Sequence, residues 1–201
     1  DFHELDLGFE FYAPQTTLSD DGRRLLFGWV GVPDADEFYQ PTAEYGWMHM
    51  MSCPRELHLV NGKIIQQPVK ELQSLRGEHT RQQGCADDLA PLAITQAELV
   101  IASQGEWQAH LAGALTLTCT AQGLTLHRIN CRTGEPETRY WSGQVNHLHI
   151  FCDHSIAEIF INHGEATMTS RYFPAAEQRI HWQGRGQLTV EHWQLESSMV
   201  V

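Results

Sequence analysis

Asp6 and Glu10 stand four residues apart in Leu5-Asp6-Leu7-Gly8-Phe9-Glu10-Phe11-Tyr12. Hydrolysis of a glycosidic bond needs two carboxyl groups flanking the scissile bond. Read as strand, this segment turns both acids to one side. Phe9, Phe11, Tyr12 and Trp29 lie near them in sequence and could complete a sugar pocket. The plainer alternative is a solvated strand face.

Other chemistry-bearing residues are more scattered. His147 and His149 alternate on one strand face, and two imidazoles so placed can share a metal, with Asp153 or His154 as a further ligand. No third ligand among the 12 histidines has diagnostic spacing, which favours a plain polar face. Glu158 lies among Ile156, Ile159, Phe160 and Ile161, where desolvation would raise its pKa and make it a proton donor. Alternation that turns it to water, or a pair with Arg171, are the structural alternatives. Ser52 and Ser170 lack a nucleophile-elbow context. Cys53 precedes Pro54 with no local base, and Gly184-Arg185-Gly186 reads as a turn. No cofactor and no metal is expected.

The elements that must position these groups are strands. Phe9–Leu18 and Leu25–Val30 flank Ser19-Asp20-Asp21-Gly22, a hairpin signature. Asn61-Gly62 between Glu56–Val60 and Lys63–Gln66 predicts a second hairpin. Residues 31–46 read as a long loop, and Trp47–Cys53 as another apolar run. Val69, Leu72 and Leu75 predict one short helix of about two turns. Residues 77–95 read as a polar linker. Beyond them, short alternating runs such as Leu115–Cys119, Leu124–His127, Leu148–Cys152 and Thr167–Arg171 have the spacing of a sandwich or barrel. Ile159-Phe160-Ile161 is apolar on both faces, as in a central strand. The phase changes between Leu188/Val190 and Trp193/Leu195, which places a bulge near Glu191-His192. The fold class is all-β.

The chain has 201 residues, 42% apolar and 19% charged, with a net charge of -12. That composition supports a packed core and excludes wholesale disorder. The negative field disfavours nucleic acid as a partner. No apolar run approaches the roughly 20 residues of a membrane span, and nothing reads as a signal peptide. Five widely spaced cysteines without a C-x-x-C point to thiols in a reducing, cytoplasmic compartment rather than to a disulfide framework or zinc ribbon. The first residue is Asp1, and we expect a processed chain or an excised piece of a longer protein.

Several segments together resemble glycoside hydrolase family 32. Asp6-Leu7-Gly8-Phe9-Glu10-Phe11-Tyr12-Ala13-Pro14-Gln15 is similar to its D-x-G-x-D-F-Y-A-P-Q segment. Arg23–Trp29, Gly46-Trp47-Met48-His49 and Ser52–Leu57 resemble its R-R-I-L-x-G-W, G-W-M-H and [ST]-x-P-R-E-L stretches. Glu158–Glu165 and Thr169–Pro174 resemble two further elements, and all six occur in family order.

The resemblance implies a five-bladed β-propeller followed by a β-sandwich. Residues 1–67 would be the C-terminal part of the propeller, 68–78 a short helical linker, and 79–201 the sandwich. It implies retaining hydrolysis of a β-fructofuranoside, in the bacterial sucrose or sucrose-6-phosphate branch. The family's nucleophile, transition-state stabiliser and acid/base lie in N-D-P-N-G, R-D-P and E-C-P segments, none of which occurs here. No catalytic residue is therefore expected in this chain, and the chain alone should be inactive. By resemblance Asp6 reaches the sugar beside the scissile bond, Trp29 lines the funnel, and Glu10 replaces a pocket Asp. Arg55 and Glu56 read as a structural ion pair, and Glu158 and Glu165 as non-catalytic sandwich positions.

The expected partner is a small, sucrose-like sugar, with no nucleic acid and no membrane. Loss of the preceding blades should leave a sheet face bare, so homo-oligomerisation is possible. The alternative reading is a stand-alone carbohydrate-binding or subunit-assembly module that uses an exposed aromatic such as Trp141.

Overall fold

The structure, a computed structural model, describes residues 3–31 and 35–197. Strands β1 (Tyr12–Leu18), β2 (Arg24–Val30), β3 (Met50–Met51), β4 (Arg55–Val60) and β5 (Lys63–Pro68) form one antiparallel sheet. Its order is β1-β2-β4-β5, with β3 paired to β2. Both predicted hairpins are present. Asn61 and Gly62 both take positive φ (51° and 79°), as a two-residue turn that matches strand twist requires.

Residues 76–195 supply β6 (Arg76–Cys85), β7 (Leu92–Ala93), β8 (Gln96–Gln104), β9 (Trp107–Leu111), β10 (Leu115–Thr120) and β11 (Gly123–Ile129). They continue with β12 (Pro136–Ser142), β13 (His147–Asp153), β14 (Ile156–Ile161), β15 (Ala166–Arg171), β16 (Arg179–Gln183) and β17 (Gln187–Leu195). These make two six-stranded antiparallel sheets, ordered β12-β11-β10-β9-β16-β7 and β15-β14-β13-β8-β17-β6. One apolar core joins them: Leu117, Leu124 and Leu126 from the first, Leu99, Ile150, Ile159 and Val190 from the second. β14 is buried at every position, which fits the two-sided apolar pattern of Ile159-Phe160-Ile161 and buries Glu158 with it. Among the described residues no helix is long and apolar enough to cross a membrane.

The two parts meet along β15, an edge strand whose backbone would otherwise be open. Leu7 and Phe9 donate backbone N–H bonds to the carbonyls of Thr167 and Thr169, each at 2.8 Å. Gly8 lies so close that a Cβ there would sit 2.0 Å from the Thr169 carbonyl oxygen. Gly164, at φ 95°, approaches Gln66 in the same way, with a would-be Cβ 1.9 Å from its carbonyl oxygen. Gln66 N–H donates to the Gly164 carbonyl at 3.0 Å.

The structure corrects several expectations. Residues 77–95 are not a linker: Arg76–Cys85 is a ten-residue edge strand paired with β17. Its solvent exposure explains its polar, Gln- and Arg-rich composition. The helix at Lys70–Leu75 is a 3-10 helix with no buried residue. Apolar spacing of three is the period of that tighter helix, not of an α-helix. The loop at 31–46 contains two 3-10 turns, Ala35–Tyr39 and Pro41–Tyr45. The bulge lies between Trp193 and Leu195, beyond Glu191-His192. The inward phase runs on through His192, which stays buried because its Nε2 lies 2.7 Å from the Ala93 carbonyl oxygen.

Candidate functional site

Residues 5–10 are irregular chain rather than strand, and the side chains of Asp6 and Glu10 are both buried. Asp6 Oδ1 accepts from the N–H groups of Gly8 (2.9 Å) and Thr169 (2.8 Å). Its Oδ2 accepts from Arg55 Nη1 (3.0 Å) and Thr169 Oγ1 (2.7 Å). Glu10 Oε2 accepts from Arg171 N–H at 2.7 Å, and Oε1 lies 2.5 Å from Arg128 Nη1. Burial holds the Glu10 carboxyl above the usual range despite the arginine beside it. Neither the solvated face nor an open pair of acids describes this geometry.

Arg55 is the hub of the junction. It is fully buried, and its Nη2 donates to Glu158 (2.8 Å) and Thr169 Oγ1 (2.7 Å). Its Nη1 donates to Asp6, Gln66 Oε1 (3.0 Å) and Thr167 Oγ1 (3.2 Å). The guanidinium also lies 4.3 Å from the Phe11 ring centroid. The expected Arg55–Glu56 pair is absent because consecutive strand residues face opposite ways. Glu56 instead sits 3.5 Å from Arg23 and 3.3 Å from His58. Glu158 neither faces water nor pairs with Arg171, since the first sheet covers β14 there. It accepts from Arg55 and, at 2.6 Å, from the N–H of Cys53. Burial and the Glu158 charge push the Cys53 thiol well up, so it is no thiolate nucleophile.

Trp29 occupies a different face. It is half-buried on β2, with Tyr12 edge-on at 5.8 Å and His49 at 4.7 Å between ring centroids. His49 Nε2 lies 3.0 Å from Glu37 Oε2. Met51, opposite Trp29 in register, and Trp47 are exposed nearby in sequence. This assembly of aromatic and polar groups could stack on a sugar face. Its Glu37–His49 dyad escaped the sequence reading because both residues lay in a stretch read as loop and apolar run.

The remaining candidates do not converge. His147 stacks on His163 at 3.9 Å, while His149 lies 2.6 Å from Glu98. Among the described residues no group of three or more His, Cys, Asp or Glu could hold a metal. Ser52 accepts from Gly28 N–H at 3.0 Å, and Ser170 is buried and donates to the Arg171 carbonyl. Glu165 makes a 3.5 Å surface pair with Lys63. Trp141 is half-buried against the core rather than exposed. It borders a cleft of about 540 Å³ together with Leu5, Lys63, Gln66 and Glu165. A second cavity, about 180 Å³, lies between Glu10, Gln40, Arg128, Arg171 and Phe173. That is smaller than the roughly 300 Å³ at which small-molecule sites begin.

Arg171 was not singled out from sequence as a site residue. Burial pulls its pKa down to about 10, and among the described residues its guanidinium bonds go to carbonyl, amide and hydroxyl oxygens. Among the described residues no carboxylate bonds its guanidinium, and Glu10 reaches only its backbone N–H, so no side-chain ion pair marks it.

Two family models match the chain: the glycosyl hydrolases family 32 N-terminal domain over residues 1–68, and the family 32 C-terminal model over residues 117–197. A sucrose-6-phosphate hydrolase of Salmonella typhimurium is 46% identical over 200 residues, 100% of this chain and 42% of that protein. The sucrose-6-phosphate hydrolase of Bacillus subtilis (strain 168) is 36% identical, covering 97% of this chain and 43% of its own. Among solved structures, the sucrose-6-phosphate hydrolase from Lactobacillus gasseri superposes with a TM-score of 0.82 at 28% identity, over 97% of this chain and 43% of that one. A Bombyx mori GH32 β-fructofuranosidase variant in complex with sucrose gives 0.76 at 25% identity, over 100% of this chain and 44% of that one. The chain thus spans less than half the length of the curated relatives it matches.

Proposed function

The chain belongs to glycoside hydrolase family 32, and from that premise we propose that its 201 residues are the C-terminal part of a retaining β-fructofuranosidase acting on sucrose or sucrose 6-phosphate. The observation that carries this reading is the 46% identity to a sucrose-6-phosphate hydrolase along 100% of the chain. In this reading residues 1–67 close a propeller, 68–78 connect, and 79–201 form a sandwich, whose first strand begins at Arg76 within the connector. Bare apolar surface supports the division. Of twelve large, exposed apolar side chains among the described residues, ten lie between Tyr12 and Ile64, and β1 is exposed at every position.

A retaining mechanism needs a nucleophile and an acid/base about 5–5.5 Å apart and open to the sugar. Asp6 and Glu10 are spent on internal donors, which argues against either as that pair. We assign the catalytic carboxylates to the part of the enzyme that precedes these residues. Trp29, backed by Tyr12 and His49, is the substrate wall that this chain contributes. Asp6 and Glu10 shape the pocket from behind, by fixing residues 5–10 on β15. The test is turnover of sucrose and sucrose 6-phosphate by the parent-length protein, with the 201-residue chain inactive beside it.

A further inference from the structure

We propose that Arg171 is a positioning residue: from the two-layer part it fixes residues 40–48 of the first part, and so sets His49 and Trp29 where the sugar is bound. The inference rests on the substrate wall assigned above.

The segment from Glu37 to His49 has almost no apolar anchor. Phe38, Tyr39 and Tyr45 are 66%, 57% and 78% exposed. Its only buried residues among those described are Gln40 and Thr42, both polar. Both are held by one side chain. Arg171 Nη1 donates to Gln40 Oε1 at 3.2 Å and to the Met48 carbonyl at 2.5 Å, and Nη2 donates to Thr42 Oγ1 at 3.4 Å. The Trp47 ring lies 5.2 Å from the guanidinium. Behind it, Arg171 Nε and Nη2 donate to the carbonyl and hydroxyl oxygens of Ser155, each at 3.1 Å. Its own N–H is held by Glu10. The fork is therefore pinned on the β14–β15 side and grips the segment at three places.

The last grip falls on Met48, the residue before His49. The His49 ring touches Trp29 and pairs with Glu37 at the other end of the segment. Loss of the grip moves both ends of that dyad relative to Trp29. A lysine cannot replace the fork, because one ammonium cannot reach three acceptors in two directions.

The experiment compares Arg171→Lys with wild type in the parent-length protein. Leu117→Ala, a core substitution remote from the segment, serves as the control for lost stability. We expect Arg171→Lys to raise KM for the sugar about tenfold while kcat changes less than about threefold, because the wall binds the sugar and the reacting carboxylates lie elsewhere. Amide exchange of residues 40–48 should accelerate in the same variant and not in Leu117→Ala. Unchanged KM and unchanged exchange overturn the proposal. So does a fall in kcat with a rise in KM that Leu117→Ala reproduces. If the wild type turns over no β-fructofuranoside, the hydrolase reading falls, and the substrate part of this proposal with it. The exchange measurement then still decides whether Arg171 fixes the segment.

Discussion

Arg55 on β4 donates to Glu158 on β14 at 2.8 Å, with side chains 0% and 5% exposed. The same guanidinium holds Asp6, so one buried cation balances two buried carboxylates from opposite sides of the junction. A buried ion pair contributes little against an apolar alternative, but a buried charge left without its partner is costly.

Arg55→Met should therefore destabilise the chain by about 3–5 kcal/mol, since Asp6 and Glu158 stay buried without a cation. Denaturant unfolding measures this. A loss under about 1 kcal/mol contradicts the account, because the carboxylates would then be finding water.

The close approach of the backbones at Gly164 admits no side chain. Gly164→Ala places a methyl against the Gln66 carbonyl at a positive φ. The expected cost is about 1–3 kcal/mol from strain, with the loss of the Gln66–Gly164 hydrogen bond on top. Gly22→Ala, also at positive φ but in open space, isolates the conformational part. Equal losses in the two variants would refute the contact.

Stability should fall as pH drops from neutrality toward 4. Burial and the neighbouring His163 lower the His147 pKa to about 4, against roughly 6.5 unfolded. Below 6.5 the unfolded chain takes up a proton that the folded chain refuses, so this stability is present above 6.5 and lost on the way down. His192, lowered mainly by burial, acts in the same direction. Urea midpoints at pH 7.5 and 5 should differ, and His147→Gln should shrink the difference. A midpoint that does not move between the two pH values contradicts the prediction.

The bare apolar stripe predicts self-association of the 201-residue chain. Leu59 and Ile64 oppose each other on β4 and β5, 77% and 49% exposed. Leu59→Lys with Ile64→Lys should lower hydrophobic-dye binding and shift sedimentation toward the monomer. A monodisperse wild-type monomer that binds no dye counts against the expectation.

Local signals made the strands legible. The Asn61-Gly62 turn and the alternation of Leu115–Thr120 depend only on neighbours in sequence, and both hold in the structure. The edge strand Arg76–Cys85 was illegible because exposure removes the apolar alternation that reveals a strand. The helix at Lys70–Leu75 was legible in place and length, but not its 3-10 type, because a few residues at spacing three fit two helical periods. The site was least legible. Arg55 and Glu158 lie 103 residues apart, and Arg171 meets Gln40 across 131, so no local pattern pairs them. The motifs drew attention to the segments around Asp6, Trp29 and Arg55, while the burial of the Asp6 and Arg55 side chains came only from the tertiary fold.

The central claim is tested most directly by assaying purified parent-length protein and the 201-residue chain side by side for release of fructose from sucrose and of glucose 6-phosphate from sucrose 6-phosphate. The account predicts turnover of at least one substrate by the parent-length protein and none by the 201-residue chain. A folded parent-length protein that hydrolyses neither, or a 201-residue chain that hydrolyses either, would contradict it.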